Sequence, residues 1–390
     1  MSLAARDQLS QPLPTDGLWI GTVTAIQANY YSVQLDDSLA LAAVAEQRSL
    51  DLPCQPALLC IRRGLLKKLN QQIMVGDRVA VEEPDWQGMR GAITTVYPRQ
   101  TALDRPPIAN VDQILLVFAI AEPALDAHQL SRFLVKAEST GLAITLCLNK
   151  RDLVTDDIAG HWQQRLVGWG YQPLMVSIRK DTELQADLIA ELQDKITVVA
   201  GPSGVGKSSL TNRLVPQQGL RVSAVSGRLG RGRHTTRHVE LFELPMGGFL
   251  ADTPGFNQPD IASTPEALGD YFPEIRQRRA VAACQFSNCL HRDEPGCVVR
   301  GDWERYEYYL TLLEEVTMQQ HQVFQQRDAE ATEKTRMGED GKAVQEPRLA
   351  AKKYRRTSRK TRNQAFQELC VDLSAVEDLE DLEDLEDIGR

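Results

Sequence analysis

The sequence predicts a multidomain α/β protein, and three observations carry that prediction. Short β-rich segments separated by turn residues fill the first hundred positions. Apolar strands then alternate with helical segments to about residue 262. A helical stretch with clustered cysteines follows. At 390 residues the chain has room for two or three domains of roughly 100–200 residues each. A hydrophobic fraction of 42% with 25% charged residues permits a core of normal size and excludes disorder of the whole chain.

Residues 1–15 are polar, hold two prolines and read as a disordered leader. The first domain is expected over 16–104. Its segments LWIGTVTAI, YYSVQL, ALLCI, IMVGDRVAVE and GAITTVY show no helical period of ten residues. Five short strands in about 80 residues fit a small closed barrel, the OB fold being the familiar five-stranded case. An SH3-like barrel competes, because strand number alone does not separate the two. RPPIAN at 105–110 then punctuates the chain.

A second domain is expected over 105–262. VDQILLVFAIA at 111–121 is the near-continuous apolar run of a strand buried on both faces. Helical segments at 127–139, 158–169 and 184–193 alternate with strands at 142–148, 173–176 and 196–200, which means a mostly parallel sheet. A helix opens near Ser208, and 239–244 and 248–251 supply two further strands. The third region, 263–327, reads as helical and cysteine-bearing. Residues 328–390 read as a charged linker (328–346), a basic tract and an acidic tail, disordered throughout.

The net charge of −9 hides an asymmetry. Ten of the 53 acids but one of the 44 bases lie in residues 363–390, so the body before them carries 43 of each. Arg348–Arg362 holds eight bases and no acid, a local electrostatic footprint compatible with nucleic acid. The acidic DLE repeats at 378–386 have no room for a core. The longest apolar run, Ile114–Ala121, is far below the ~20 residues of a membrane span, and no secretory signal is visible. A cytoplasmic protein without a membrane partner is expected, in a reducing compartment, since seven cysteines make no disulfide scaffold.

The strongest chemical signal follows the apolar strand ITVVA. Gly201, Pro202, Ser203, Gly204, Val205, Gly206, Lys207 and Ser208, with Ser209 next, form a phosphate-binding P-loop that opens a helix. Its glycines let backbone N–H groups face phosphate oxygens, which the helix N-terminus also favours. Lys207 is expected on the β- and γ-phosphates and the Ser208 hydroxyl on magnesium. Asp252-Thr-Pro-Gly255 ends the apolar segment GGFLA. Its Asp252 suits magnesium through water, and the Gly255 N–H suits the γ-phosphate.

Asn149, Lys150, Arg151 and Asp152 end the strand LAITLCL. A carboxylate accepts hydrogen bonds without donating, so Asp152 matches the adjacent N1–H and exocyclic amine of guanine, which adenine does not present. Asn149 is suited to brace the neighbouring loop, and the Lys150 stem to pack over the base. The three motifs together specify a GTP site and argue against a P-loop kinase or ATPase. Their order is inverted, with NKRD ahead of the P-loop and DTPG, so the domain reads as a circular permutation.

Between P-loop and DTPG, SGRLGRGRHTTRHVE at 226–240 reads as a mobile switch loop. Thr236 or Thr235 is the candidate for magnesium and γ-phosphate. Phe256 stands where a glutamine would orient the attacking water, so unaided hydrolysis is expected to be slow, and His234 is the local candidate for that role. Cys284-x4-Cys289-x-His291-x5-Cys297 matches a closed, structural tetrahedral zinc site, one ion per chain. Buried free thiols account for isolated Cys54, Cys60, Cys147 and Cys370.

With these residues in place, the chain resembles the RsgA (YjeQ/EngC) family of circularly permuted GTPases over about 16–325. RPPIANVDQ, NKRD, GPSGVGKSS, GRHTT, DTPGF and CQFSNCLHRDEPGC carry the resemblance. It implies an OB barrel, a permuted G domain and a C-terminal zinc domain. It further implies GTP hydrolysis to GDP in late maturation of the small ribosomal subunit, stimulated by that subunit, with contact to its rRNA. A monomer is expected. From Ser177 the chain reads SIRKDTEL and departs from the glycine-containing stretch of the family, so the fifth guanine-contacting loop is left unassigned. The alternative function is an RNA-binding assembly scaffold that uses GTP as a switch with negligible turnover.

Overall fold

The computed structural model describes residues 18–36, 57–64, 66, 71–104, 106–180, 186–215, 239–252, 261, 263–330, 333–337 and 343–347. The leader, most of the switch loop, Thr253–Gly255, the basic tract and the acidic repeat lie outside the described residues. Residues to Thr317 form one unit and those from Met318 a second.

The N-terminal strands β1 (Leu18–Gln27), β2 (Tyr30–Leu35), β3 (Ala57–Arg62), β4 (Arg78–Asp85) and β5 (Arg90–Val96) close a barrel in the order β1-β2-β3-β5-β4. Inward-facing side chains drive it: Val23, Val33, Leu58, Cys60, Val79, Val81 and Ile93 are fully buried, while Leu59 and Ile61 of β3 face out. Closure requires β3 to pair in parallel with β5, and β1 to pair with both β2 and β4. That is the OB arrangement. Burial pushes the Cys60 thiol up to about 12, which keeps it protonated and inert.

RPPIAN is more than punctuation. β6 (Ala102–Asp104) and β7 (Pro107–Ala109) make a small hairpin there. It carries the barrel onto the next domain: the Ala109 N–H donates to the Val75 carbonyl at 2.8 Å and Asn110 Nδ2 to the Gly76 carbonyl at 2.9 Å. Beside it the carboxylate of Asp77, fully buried, accepts from Arg99 Nε at 2.7 Å and from the Met74 N–H at 2.7 Å.

The middle domain is a six-stranded sheet, β10-β9-β8-β11-β13-β12, made of β8 (Gln113–Ala119), β9 (Ala143–Asn149), β10 (Leu174–Met175), β11 (Ile196–Ala200), β12 (Leu241–Glu243) and β13 (Phe249–Asp252). All pairings are parallel except β12 with β13. Every residue of β8 is buried, and its alternate side chains enter opposite cores. Ile114, Leu116 and Phe118 pack with Leu130, Phe133 and Leu134 of α1 (Ala127–Glu138) and Leu166 of α2 (Asp156–Gly168). Leu115 and Val117 pack with Leu188 and Leu192 of α3 (Ala186–Leu192) and Leu210 and Leu214 of α4 (Lys207–Leu214). The sheet is thus covered on both faces, as the apolar run required. Buried Gln113 ties three strands: its Nε2 donates to Thr197 Oγ1 at 3.0 Å, and its Oε1 accepts from Thr145 Oγ1 at 3.2 Å.

After Ile261 come α5 (Pro265–Leu268), α6 (Pro273–Val281) and α7 (Tyr306–Glu330). The segment between α6 and α7, which bears the cysteines, is neither helix nor strand. The region is therefore helical at its flanks, not throughout. Phe272, Ile275, Tyr309, Leu312 and Leu313 form its core, joined by Val135 of α1. At the boundary, Arg305 is fully buried and pairs with Glu274 through Nε at 2.7 Å and NH2 at 2.5 Å. Its guanidinium also lies 4.9 Å from the ring centroids of both Trp169 and Phe272. In the second unit, β14 (Glu333–Met337) and β15 (Ala343–Pro347) pair as an antiparallel hairpin. The linker expected from 328 thus holds the end of α7 and a hairpin.

Glu274→Ala leaves the Arg305 cation buried without its carboxylate, a change that costs about 3–5 kcal/mol in comparable sites. A denaturant titration followed by tryptophan fluorescence should show that loss. A shift below about 1 kcal/mol would mean the aromatic rings alone hold the guanidinium.

Candidate functional site

Three motif-bearing strands end at one edge of the sheet. Asn149 closes β9, Gly201 follows β11 and Asp252 closes β13, and the parallel registers Ala119↔Asn149, Ala200↔Leu116 and Val199↔Asp252 place these ends side by side. Ligands of open α/β sheets bind at this carboxyl edge.

The P-loop needs its glycines for stated reasons. Gly201, Gly204 and Gly206 have φ of +135°, +83° and +105°, which a side chain rarely tolerates. A Cβ on Gly201 would collide with the Val117 carbonyl oxygen, and one on Gly206 with Asn149 Nδ2. Val205 anchors the loop in the core, whereas Ser203, Gly204 and Ser208 are exposed. Lys207 Nζ spans the loop and donates to the Gly201 and Pro202 carbonyls, each at 2.7 Å. Ser209 is partly buried on the first turn of α4.

Asn149 joins this loop to the next. Buried, it donates from Nδ2 to the Val205 carbonyl at 2.8 Å and accepts at Oδ1 from the Ile178 N–H at 3.2 Å. Lys150 is left-handed (φ +63°), and its Nζ donates to the Gly204 carbonyl at 3.0 Å and to the Glu122 carbonyl. Arg151 points away, pairing with Asp156 at the start of α2. The Asp152 N–H donates to Ser177 Oγ at 3.1 Å, and its carboxylate lies 3.5 Å from Lys180 Nζ. Burial pushes the Cys147 thiol, two residues before Asn149, up to about 12 and so keeps it protonated.

Motif spacing did not point to Ser177, Ile178 or Lys180, which the structure brings to this site. Their signal was positional: SIRK follows the strand PLMV in a parallel sheet. Of the remaining predicted residues, Asp252 stands at the strand end, while His234, Thr235, Thr236, Gly255 and Phe256 lie outside the described residues.

The second site is built in the segment after α6. The donor atoms of Cys284, Cys289, His291 and Cys297 all lie within 4.8 Å of one another. His291 Nδ1 is 3.6, 3.4 and 3.5 Å from the sulfurs of Cys284, Cys289 and Cys297. Metal–sulfur bonds of about 2.3 Å and metal–nitrogen bonds of about 2.0–2.1 Å place tetrahedral N and S ligands about 3.6 Å apart. The cluster therefore fits a four-coordinate metal. Burial lowers the His291 pKa, with Arg279 adding to the effect, which favours the neutral ring that ligates a metal. Tyr306 and Tyr309 of α7 donate to the His291 and Leu290 carbonyls at 2.8 and 2.6 Å and fix the ligand loop.

The model of the RsgA GTPase family matches residues 96–262. A small ribosomal subunit biogenesis GTPase RsgA of Trichormus variabilis is 60% identical over 363 residues, covering 91% of this chain and 98% of that one. The chain belongs to the RsgA GTPase family. It is accordingly a GTP hydrolase, a GTPase of small ribosomal subunit biogenesis. A second relative, the mitochondrial RsgA 1 of Arabidopsis thaliana, is 42% identical over 89% of this chain and 85% of its own. Among solved structures, YjeQ from Thermotoga maritima is 30% identical with a TM-score of 0.60, covering 77% of this chain and 99% of that one. YloQ, titled a circularly permuted GTPase, is also 30% identical with a TM-score of 0.62, covering 80% and 99%. The inverted motif order of this RsgA-family chain thus has structural counterparts.

Gly206→Ala should force the loop off Asn149 as well as strain its own backbone, at roughly 1–3 kcal/mol. GDP affinity measured by calorimetric titration is expected to fall about tenfold or more, with the barrel's stability unchanged.

Proposed function

We propose that this chain acts on the small ribosomal subunit and its rRNA, hydrolysing GTP to GDP late in maturation, slowly alone and faster on the subunit. The observation that supports the reading is the clamp at one sheet edge, where Asn149 holds the P-loop and the loop after β10 in register. The barrel (16–104), permuted G domain (105–262) and cysteine-bearing region (263–327) serve as its three working parts.

The base is selected by Asp152, whose carboxylate accepts from guanine N1–H and the exocyclic amine. Phosphates sit on the N–H groups of Gly201–Ser209. Rotation of the Lys207 side chain brings its ammonium from the loop carbonyls to the β- and γ-phosphates. Water attacks the γ-phosphorus, the bond to the β,γ-bridging oxygen breaks, and GDP and phosphate leave. Lys207 offsets the charge that develops on the bridging oxygen. Thr236 contacts the γ-phosphate and His234 orients the water, replacing the glutamine that Phe256 excludes. Bound magnesium neutralises phosphate charge, and Ser208, Asp252 and Thr236 are the residues to hold it. Cys284, Cys289, His291 and Cys297 would hold one zinc ion, which would supply structural cross-linking of the loop between α6 and α7.

No helix among the described residues is long and apolar enough to cross a membrane. A cytoplasmic monomer is the setting we assign. The basic tract 348–362 adds phosphate contacts of little sequence preference. A second reading, a scaffold that binds GTP with negligible turnover, is favoured by Phe256.

Turnover with and without purified small subunits separates the two. Stimulation by subunits that Lys207→Ala abolishes is expected, and unstimulated, near-zero rates in both conditions would favour the scaffold. Asp152→Asn should weaken GTP binding and improve that of xanthosine triphosphate, whose C2 carbonyl accepts from the amide. Elemental analysis should find one zinc per chain, lost in Cys289→Ser together with the structure after residue 263.

A further inference from the structure

The Asp152 carboxylate, assigned above to the base, has a charged neighbour that neither motif spacing nor the family resemblance assigns. Lys180 closes a tight turn: its N–H donates to the Ser177 carbonyl at 3.0 Å. Four bonds pin that turn to the site. The Arg151 N–H donates to the Val176 carbonyl at 3.1 Å and the Asp152 N–H to Ser177 Oγ at 3.1 Å. The Ile178 N–H donates to Asn149 Oδ1, and Arg213 from α4 donates to the Ile178 carbonyl. The turn is therefore fixed to both the NKRD loop and the P-loop helix. From it, the Lys180 ammonium reaches to 3.5 Å of Asp152 Oδ2. The carboxylate is 18% exposed, while the lysine side chain is 68% exposed.

We propose that Lys180 is a specificity-determining positioning residue of the guanine site, holding the Asp152 carboxylate in the orientation from which it accepts from the base. The inference rests on the reading of Asp152 as the guanine acceptor. Each carboxylate oxygen has two lone pairs, so Oδ2 receives the ammonium on one side and a base N–H on the other. The ammonium also lowers the entropy that Asp152 loses on binding, since one rotamer is already favoured. Because the lysine is exposed, the gain is that of a solvent-accessible ion pair, and salt screens it.

The test measures GDP and inosine diphosphate affinity of the full chain and its variants by titration. Lys180→Ala should weaken GDP roughly two- to fivefold, the range of exposed pairs. It should narrow the preference for GDP over inosine diphosphate, which lacks the exocyclic amine. Lys180→Arg should restore both, Lys180→Glu should lose more than the alanine variant, and about 1 M salt should erase the difference between wild type and Lys180→Ala. In an Asp152→Asn background, binding of xanthosine diphosphate should be indifferent to Lys180→Ala, because the amide carries no charge to hold. Unchanged or tighter GDP binding by Lys180→Ala, or an equal loss of xanthosine diphosphate binding in the Asp152→Asn background, overturns the proposal. If Asp152→Asn itself keeps full guanine preference, the assignment of Asp152 is what fails.

Discussion

The buried carboxamide of Asn149 is the constraint on which the site depends. One donor of its side chain holds the Val205 carbonyl of the P-loop, and its oxygen receives the Ile178 N–H of the loop after β10. An amide is the side chain suited to this: it donates and accepts at one planar group, whereas a carboxylate would present two acceptors to the Val205 carbonyl. The arrangement also explains a glycine at 206, where any Cβ would displace the amide. In a water-poor position such a bonded group is costly to disturb, because each lost partner leaves a buried polar atom unpaired. The NKRD loop, the P-loop and the loop after β10 are thereby joined at one edge of the sheet.

A second polar commitment ties the sheet to the region after it. Arg305, just before α7, reaches to Glu274 on α6 and lies against Trp169, the residue that caps the end of α2. Around it, Trp169 Nε1 donates to Glu304 at 2.8 Å, Tyr171 donates to Glu138 at 2.8 Å, and Arg276 meets the other Glu138 oxygen at 2.9 Å. One nitrogen of Arg305, NH1, has no hydrogen-bond partner among the described residues, and the aromatic faces around the guanidinium compensate for it. A buried network of this kind gives little net stability but permits few alternative packings. It sets the cysteine-bearing region against the end of the helix that follows the NKRD loop.

Permuted order leaves the chemistry intact because function at a parallel sheet edge depends on which strands are neighbours. β8 separates β9 from β11, yet the loops after all three meet, since Lys150 bonds both the Glu122 carbonyl behind β8 and Gly204 behind β11. What permutation changes is the exit. The strand that carries Asp252 is followed in the chain by α5 and then by the Cys3His group. Before that, the bridge between Ala25 of β1 and Glu240 sets the barrel against the residue that precedes β12.

The P-loop, NKRD and the Cys3His cluster were legible in the sequence because each is a local pattern, with residue type and spacing that the chemistry itself imposes. The doubly covered sheet was legible for a similar reason: a strand such as QILLVFA, apolar at both parities, has no exposed face to offer. The choice between an OB and an SH3-like barrel was not, since five short strands fit either and do not say that β3 pairs in parallel with β5. The hairpin β6–β7 and the strands after 330 were read as connectors, because a three- to five-residue strand between charged or proline-bearing neighbours has no period long enough to register. The segment from Ser177 was marked as an unassigned loop, but the contacts of Ser177, Lys180, Glu274 and Arg305 were not legible, for a deeper reason. Their partners lie 25 to 31 positions away, and only the folded sheet and its helices bring those charges and hydrogen-bonding groups within reach.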